Sequence, residues 1–254
     1  MEEDNYRVAF IIAAKYYRNY QSYLQYYVDN IQKYYKNSFT IIVDNNSKYI
    51  DDIKKKLENY KSLVILTNNT ECKFEVGAYK VGIQYLIDEN IINNYDYYVF
   101  TQDTFVLKKK YDFNELISKN VLACSIGTYD NSVWYGYMES EVSQHVLKKL
   151  NLQNSLDKLA FCWCCSIILH KSKVEEFLDI TKDIVTVNRS QSESSERYLA
   201  AIIYHLNNFW NYDGIYNLYR IKYDFNSVDI LNDDSMPECF VKRLQQKNEW
   251  TQDE

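Results

Sequence analysis

The feature that most constrains this chain is an alternation running through its first 110 residues. Four apolar runs, RVAFIIAA (7–14), FTIIVDNNS (39–47), SLVILTN (62–68) and YDYYVFTQDTFVL (95–107), are separated by segments of helical periodicity. A short apolar run bounded by polar turns reads as a strand buried on both faces. After the first run, Leu24, Tyr27, Val28, Ile31, Tyr34 and Tyr35 recur at three- and four-residue intervals, the stripe of an amphipathic helix. IDDIKKKLENY (50–60) reads as a second helix. VGAYKVGIQYLIDENI (76–91) reads as a third, with Tyr79, Ile83, Leu86 and Ile87 on one face. That order predicts parallel neighbours joined by right-handed crossovers, an α/β Rossmann-like sheet flanked by helices. Ligands of such sheets bind at the carboxyl ends of the strands, so DNNS and TQDT should face one cleft.

Beyond residue 110 the alternation loosens. VLACSIG (121–127) and FCWCCSIILH (161–170) read as strands. SEVSQHVLKKL, KVEEFLDITKDI and SESSERYLAAIIYHLNNF (192–209) read as helices, NLYRIKYDFN as a last strand, and VKRLQQKNEWTQDE as a polar, frayed tail. No linker or repeat interrupts the chain, which predicts a single domain over 1–254 with functional halves 1–110 and 111–254. An apolar fraction of 46% and a charged fraction of 25% are globular values. The net charge of −6 argues against a broad nucleic-acid surface and leaves room only for small, locally held anions. Tyr, at 26 residues, belongs to a compositional bias shared with Asn, Lys and Ile, so tyrosine abundance is no functional signal. The six cysteines lack paired C-x-x-C spacing, and free buried thiols in a reducing compartment are expected. Neither a signal peptide nor a membrane span is legible, and a cytoplasmic location is expected.

Asp44 closes the second strand, where a carboxylate can accept hydrogen bonds from a ribose or base, or serve the turn Asp-Asn-Asn-Ser itself. Asp103 breaks a strongly apolar run. A carboxylate at such a strand end can bind Mg2+ or Mn2+, the cations that bridge diphosphate oxygens, or can cap a hairpin. Two of only five glycines, Gly77 and Gly82, fall in the third helix, implying close approach of either a diphosphate or a packed neighbour. Lys80 between them can offer a cation to phosphate or sit in solvent.

In their order, Asp-Asn-Asn-Ser, Gly-Ala-Tyr-Lys-Val-Gly-Ile and Thr-Gln-Asp-Thr resemble the motifs of GT-A-fold glycosyltransferases, above all family 2 and related small viral or microbial enzymes. The resemblance covers residues 6–110 by pattern. It implies a GT-A fold, a nucleoside-diphosphate-sugar donor and a Mn2+ or Mg2+ ion. It makes 1–110 the donor half and 111–254 the acceptor and catalytic half. Asp44 matches the acid that contacts the nucleotide, and Asp103 the metal-binding last acid of Asp-x-Asp. Ala78 and Gly82 match the ends of the helix motif. Asn46, Gly77, Lys80 and Gln102 fall in the same donor-binding clusters. The chain departs from the family in having Thr101 for the first acid of Asp-x-Asp and Tyr79-Lys80 for Arg-Asn.

The family also implies a catalytic carboxylate near the start of a late helix, and SQSESSERYLAAIIYHL offers Glu196 and Glu193. Ser190-x-x-Glu193 has capping-box spacing, which gives Glu193 a structural task and leaves Glu196 as the favoured general base. With Asp103 at the leaving group, an inverting single displacement onto an acceptor hydroxyl follows. Trp134, Tyr135 and Tyr137 can stack on an acceptor sugar or simply pack. His205 reads as a core residue, or as a second metal contact beside Asp103. Two alternatives remain: a non-catalytic relative binding nucleotide sugars or glycans, and a sugar nucleotidyltransferase. The latter would want a Gly-rich loop where this chain has AAKYYRNYQ.

Overall fold

The computed structural model describes residues 6–15, 21–47, 50–129, 140–153, 161–207, 219–222 and 239–243. Trp134, Tyr135 and Tyr137 lie outside them. The strands are β1 (Val8–Ala14), β2 (Phe39–Asp44), β3 (Leu63–Thr67), β4 (Tyr97–Gln102), β5 (Phe105–Leu107), β6 (Ala123–Ser125), β7 (Thr128–Tyr129), β8 (Phe161–Cys162), β9 (Ile167–His170), β10 (Tyr219–Lys222) and β11 (Phe240–Arg243). The helices are α1 (Gln21–Tyr34), α2 (Ile50–Leu57), α3 (Phe74–Asp88), α4 (Asn114–Ser118), α5 (Glu141–Lys149), α6 (Val174–Thr181) and α7 (Arg189–Asn207).

The main sheet is six-stranded in the order β3-β2-β1-β4-β9-β6. As the alternation predicts, β1 pairs in parallel with both β2 and β4, and β2 in parallel with β3. β9 runs antiparallel to β4 and to β6, so both halves of the chain build one sheet. Strand periodicity divides the core in two. Ala9, Ile11, Ile41, Val43, Tyr98, Phe100, Ile167 and Leu169 face the layer that includes α3 and α7. Val8, Phe10, Ile12, Ile42, Tyr97, Val99 and Ile168 face the layer of α1, α2 and β5. The order reverses between β1 and β4, and a crevice opens at such a switch point beyond the carboxyl ends of the strands.

Helix ends show how a chain with five glycines in 254 residues folds. After α3, α4 and α5 the chain turns through Asn90, Asn120 and Asn151, all at left-handed φ values of 52–58°. Asparagine tolerates this conformation better than most residues. At each end two backbone bonds close the last turn, as from Ile91 N–H to the Leu86 carbonyl (2.9 Å) and from Val121 N–H to that of Leu116 (2.8 Å).

Four expectations are corrected. The run 95–107 is two strands, because the chain leaves the main sheet at Asp103 and β5 pairs with β11 in a second sheet. The supposedly frayed tail therefore begins as a strand, with Phe240 buried. The run 161–170 is interrupted at Trp163–Cys165, where Cys164 and Cys165 take left-handed φ values of 57° and 54°. Ile87 is 39% exposed rather than packed with Tyr79, Ile83 and Leu86. All six cysteines are free and five are buried, as expected. Among the described residues no helix is long and apolar enough to cross a membrane.

Candidate functional site

At the switch point the end of β1 meets the end of β4. The Asp103 N–H donates to the Ala13 carbonyl at 2.9 Å, continuing the ladder one residue past β4. In return the Lys15 N–H donates to Asp103 Oδ2 at 2.9 Å. The carboxylate is thus anchored across the crevice and remains half-buried. Thr101 is fully buried and shares a 2.9 Å hydrogen bond with the Tyr27 hydroxyl of α1. Packed against α1, the position that matches the first acid of Asp-x-Asp is buried in the core, whereas Asp103, beyond the end of β4, is half-buried.

Gln102 points the other way, toward α3 and α7. Its Nε2 donates to Glu75 Oε1 at 2.7 Å and to the Cys164 carbonyl at 3.1 Å. Its Oε1 accepts from Thr104 Oγ1 at 3.2 Å. The Cys164 N–H donates to Glu196 Oε1 at 2.6 Å. The other oxygen of Glu75, Oε2, accepts from Ser192 Oγ at 2.7 Å. The end of β4, the start of α3, the turn before β9 and the first turns of α7 are therefore joined by one network. The Cys165 thiol, fully buried among them, is held well above the usual thiol range, by burial first and then by the charges of Glu75 and Glu196. Left-handed φ values at Phe74 (59°), Cys164 (57°) and Cys165 (54°) flank the network. For Phe and Cys this backbone is costly and persists only where surrounding contacts enforce it, a pattern concentrated at functional sites.

Other predicted site residues are placed differently. Asp44 is completely buried and serves its own turn: the Ser47 N–H donates to Oδ2 at 2.8 Å, and the Ser47 hydroxyl to Oδ1. That turn displays Asn46, exposed and at φ 62°. Gly77 makes room for protein, since a Cβ there would overlap the Cys72 carbonyl oxygen. Lys80 donates to the carbonyls of Lys182 and Ile184, each at 3.0 Å, which directs it to the chain between α6 and α7 instead of a phosphate. Glu193 pairs with Arg189 at 2.9 Å rather than closing a capping box with Ser190. The α7 N-terminus is capped by Asn188, whose Oδ1 accepts from the Gln191 N–H at 3.0 Å.

His205 is not beside Asp103. It lies nine residues beyond Glu196 in α7, about 13 Å along the axis. There it pairs with Glu176 of α6 at 3.3 Å. Two residues on, Asn207 holds the backbone of Ala123 at the edge of the sheet marked by Tyr97, opposite Asp103. Glu75 went unnoticed in the sequence because an acid in a first helical turn has an ordinary electrostatic reason to be there. Its spacing of three before Ala78 carries no signal of a tertiary role.

No protein-family model matches the chain, and no curated protein does. It is similar to solved structures at low identity. The WbbM bifunctional glycosyltransferase is 13% identical with a TM-score of 0.45, over 95% of this chain and 46% of that one. Galactosyltransferase LgtC, with donor and acceptor sugar analogues, is 11% identical with a TM-score of 0.44, over 94% and 87%. Glucosyl-3-phosphoglycerate synthase of Mycobacterium tuberculosis, with Mn2+, UDP and phosphoglyceric acid, is 10% identical with a TM-score of 0.41, over 82% and 81%. The chain spans less than half the length of the WbbM chain.

Proposed function

We propose that the chain is a glycosyltransferase that moves a sugar from a nucleoside-diphosphate donor to a hydroxyl acceptor. The observation that carries this reading is the convergence of Asp103 and Glu196 on one edge of the sheet. One comes from the end of β4 and the other from α7, linked through Gln102 and the Cys164 peptide. The donor would lie over 1–110 at the switch point, with Asn46 and Gln102 at its rim, and the acceptor against 111–254.

A metal fits this site in a particular way. Among the described residues no three His, Cys, Asp or Glu side chains cluster to hold an ion. Asp103 supplies a hard oxygen donor at the crevice, which suits Mg2+ or Mn2+ carried largely by the donor's own phosphate oxygens. Such an ion would neutralise the charge that collects on the departing diphosphate. Glu196, fixed by the Cys164 N–H, would take the proton of the attacking hydroxyl, giving a single displacement with inversion.

Asp103→Ala is expected to abolish both sugar transfer and donor hydrolysis with the unfolding transition retained, and full activity would remove this reading. Glu196→Gln should lose transfer while still binding donor with Mn2+. Product of retained anomeric configuration, read by NMR, would exclude Glu196 as the base. A thermal-shift screen of UDP-, GDP- and dTDP-sugars identifies the donor, because binding to the folded state raises apparent stability. The single acid at the metal position favours a second reading, a nucleotide-sugar-binding relative without turnover. Donor binding with no hydrolysis or transfer under any acceptor would establish it.

A further inference from the structure

Glu75 joins the two sides of the site, and it does so with both oxygens. Oε1 accepts from Gln102, next to Asp103, and Oε2 accepts from Ser192, one helical turn before Glu196 on the same face of α7. Gln102 cannot reverse its amide, because Glu75 Oε1 and the Cys164 carbonyl both require a donor at Nε2. The residue before Glu75, Phe74, is held at φ 59°, and its carbonyl accepts from Asn45 Nδ2 at 3.4 Å. Both ends of the bridge are thus braced by secondary structure: β4 on one side, α7 on the other.

We infer that Glu75 is a positioning residue that sets the separation of Asp103 from Glu196, and so of leaving group from attacking hydroxyl. This rests on the glycosyl-transfer reading for its kinetic consequence, but not for its structural one. The requirement is for an acceptor toward Gln102, not for negative charge. A glutamine at position 75 can turn its carbonyl to Gln102 and its amide to Ser192, whose hydroxyl rotates to accept. An alanine can do neither.

Two measurements test this. In steady-state kinetics, Glu75→Ala should lower kcat about 100-fold with the donor KM nearly unchanged, the cost of an ångström-scale misplacement of reacting groups. Glu75→Gln should restore kcat to near wild type. In hydrogen exchange read by mass spectrometry, Glu75→Ala should speed exchange in peptides covering 189–196 and 100–104, and Glu75→Gln should not. A dead Glu75→Gln variant would mean that the charge itself is used, and would overturn the inference. Wild-type kcat in Glu75→Ala, or unchanged exchange, would overturn it as well. If Glu75→Ala does not fold, Ser192→Ala, which cuts only the α7 side of the bridge, should lower kcat and loosen 189–196, and wild-type behaviour there would be equally fatal. A wild-type chain that turns over no nucleotide sugar removes the proposed function, whereas the exchange result still decides the role of Glu75.

Discussion

Thr101 is the residue at which the resemblance in sequence and the geometry part company. By analogy, the threonine at this position reads as a missing first acid of Asp-x-Asp. The structure gives a different reason for the threonine: the side chain is fully buried and hydrogen-bonded to Tyr27. Restoring the acid with Thr101→Asp should therefore not strengthen metal dependence. It should destabilise the fold by about 3 kcal/mol or more, the cost of an uncompensated buried charge, as measured by urea unfolding. A stable variant with enhanced Mn2+ dependence would contradict this. Asp103 was legible because a carboxylate interrupting an apolar run has few local explanations. Asp44 offered two roles and the buried Ser47 contacts select the turn, a choice no spacing rule could make.

At the scale of elements, α3 decides how closely the site is assembled. Its two glycines both face protein, with different partners. A Cβ at Gly77 meets the Cys72 carbonyl, a backbone atom that cannot move without dismantling the loop before the helix. A Cβ at Gly82 comes 2.6 Å from Ile11 Cγ2, a methyl on the branched β-carbon of a fully buried side chain, which can yield only by shifting within the packed core. Gly77→Ala is thus expected to cost about 3 kcal/mol or more and Gly82→Ala less, about 1–2 kcal/mol, helix propensity offsetting part of the overlap at both. Equal unfolding midpoints for the two variants would refute the distinction. The helices themselves were readable from period alone. The break of 161–170 into two strands was not, since FCWCCSIILH is apolar throughout and the left-handed turn at Cys164 and Cys165 is held by Gln102 and Glu196 from elsewhere in the chain.

For the whole molecule, the edge of the sheet opposite the site is pinned by Asp96. Its carboxylate takes the Arg7 N–H and the Lys171 ammonium, each at 3.0 Å, tying the starts of β1 and β4 to the end of β9. Burial pushes this carboxyl up, but those two partners outweigh it and hold it below its ordinary value of 3.8. Beside it, His170 is held below its ordinary 6.5, by burial first and then by Lys171, against the pull of Asp96. Its Nδ1 accepts from the Ser172 N–H, a bond that needs the ring nitrogen unprotonated. Both groups bind protons less readily folded than unfolded, so stability is full above their ordinary values and falls with pH. The melting temperature should drop first as pH passes below about 6.5, then again below about 4. His170→Asn should flatten only the first step, and an unaltered profile would exclude His170 as its source. The sequence by itself determined the layered α/β plan, because burial on both faces and helical periodicity are local and repeat along the chain. It also marked the strand end at Asp103. Only the tertiary structure decided that Glu75 belongs with Gln102 and Glu196 and that His205 stands at the far edge. Those placements come from the strand order and from where α7 crosses the sheet, long-range packing that leaves no periodic trace in a single sequence.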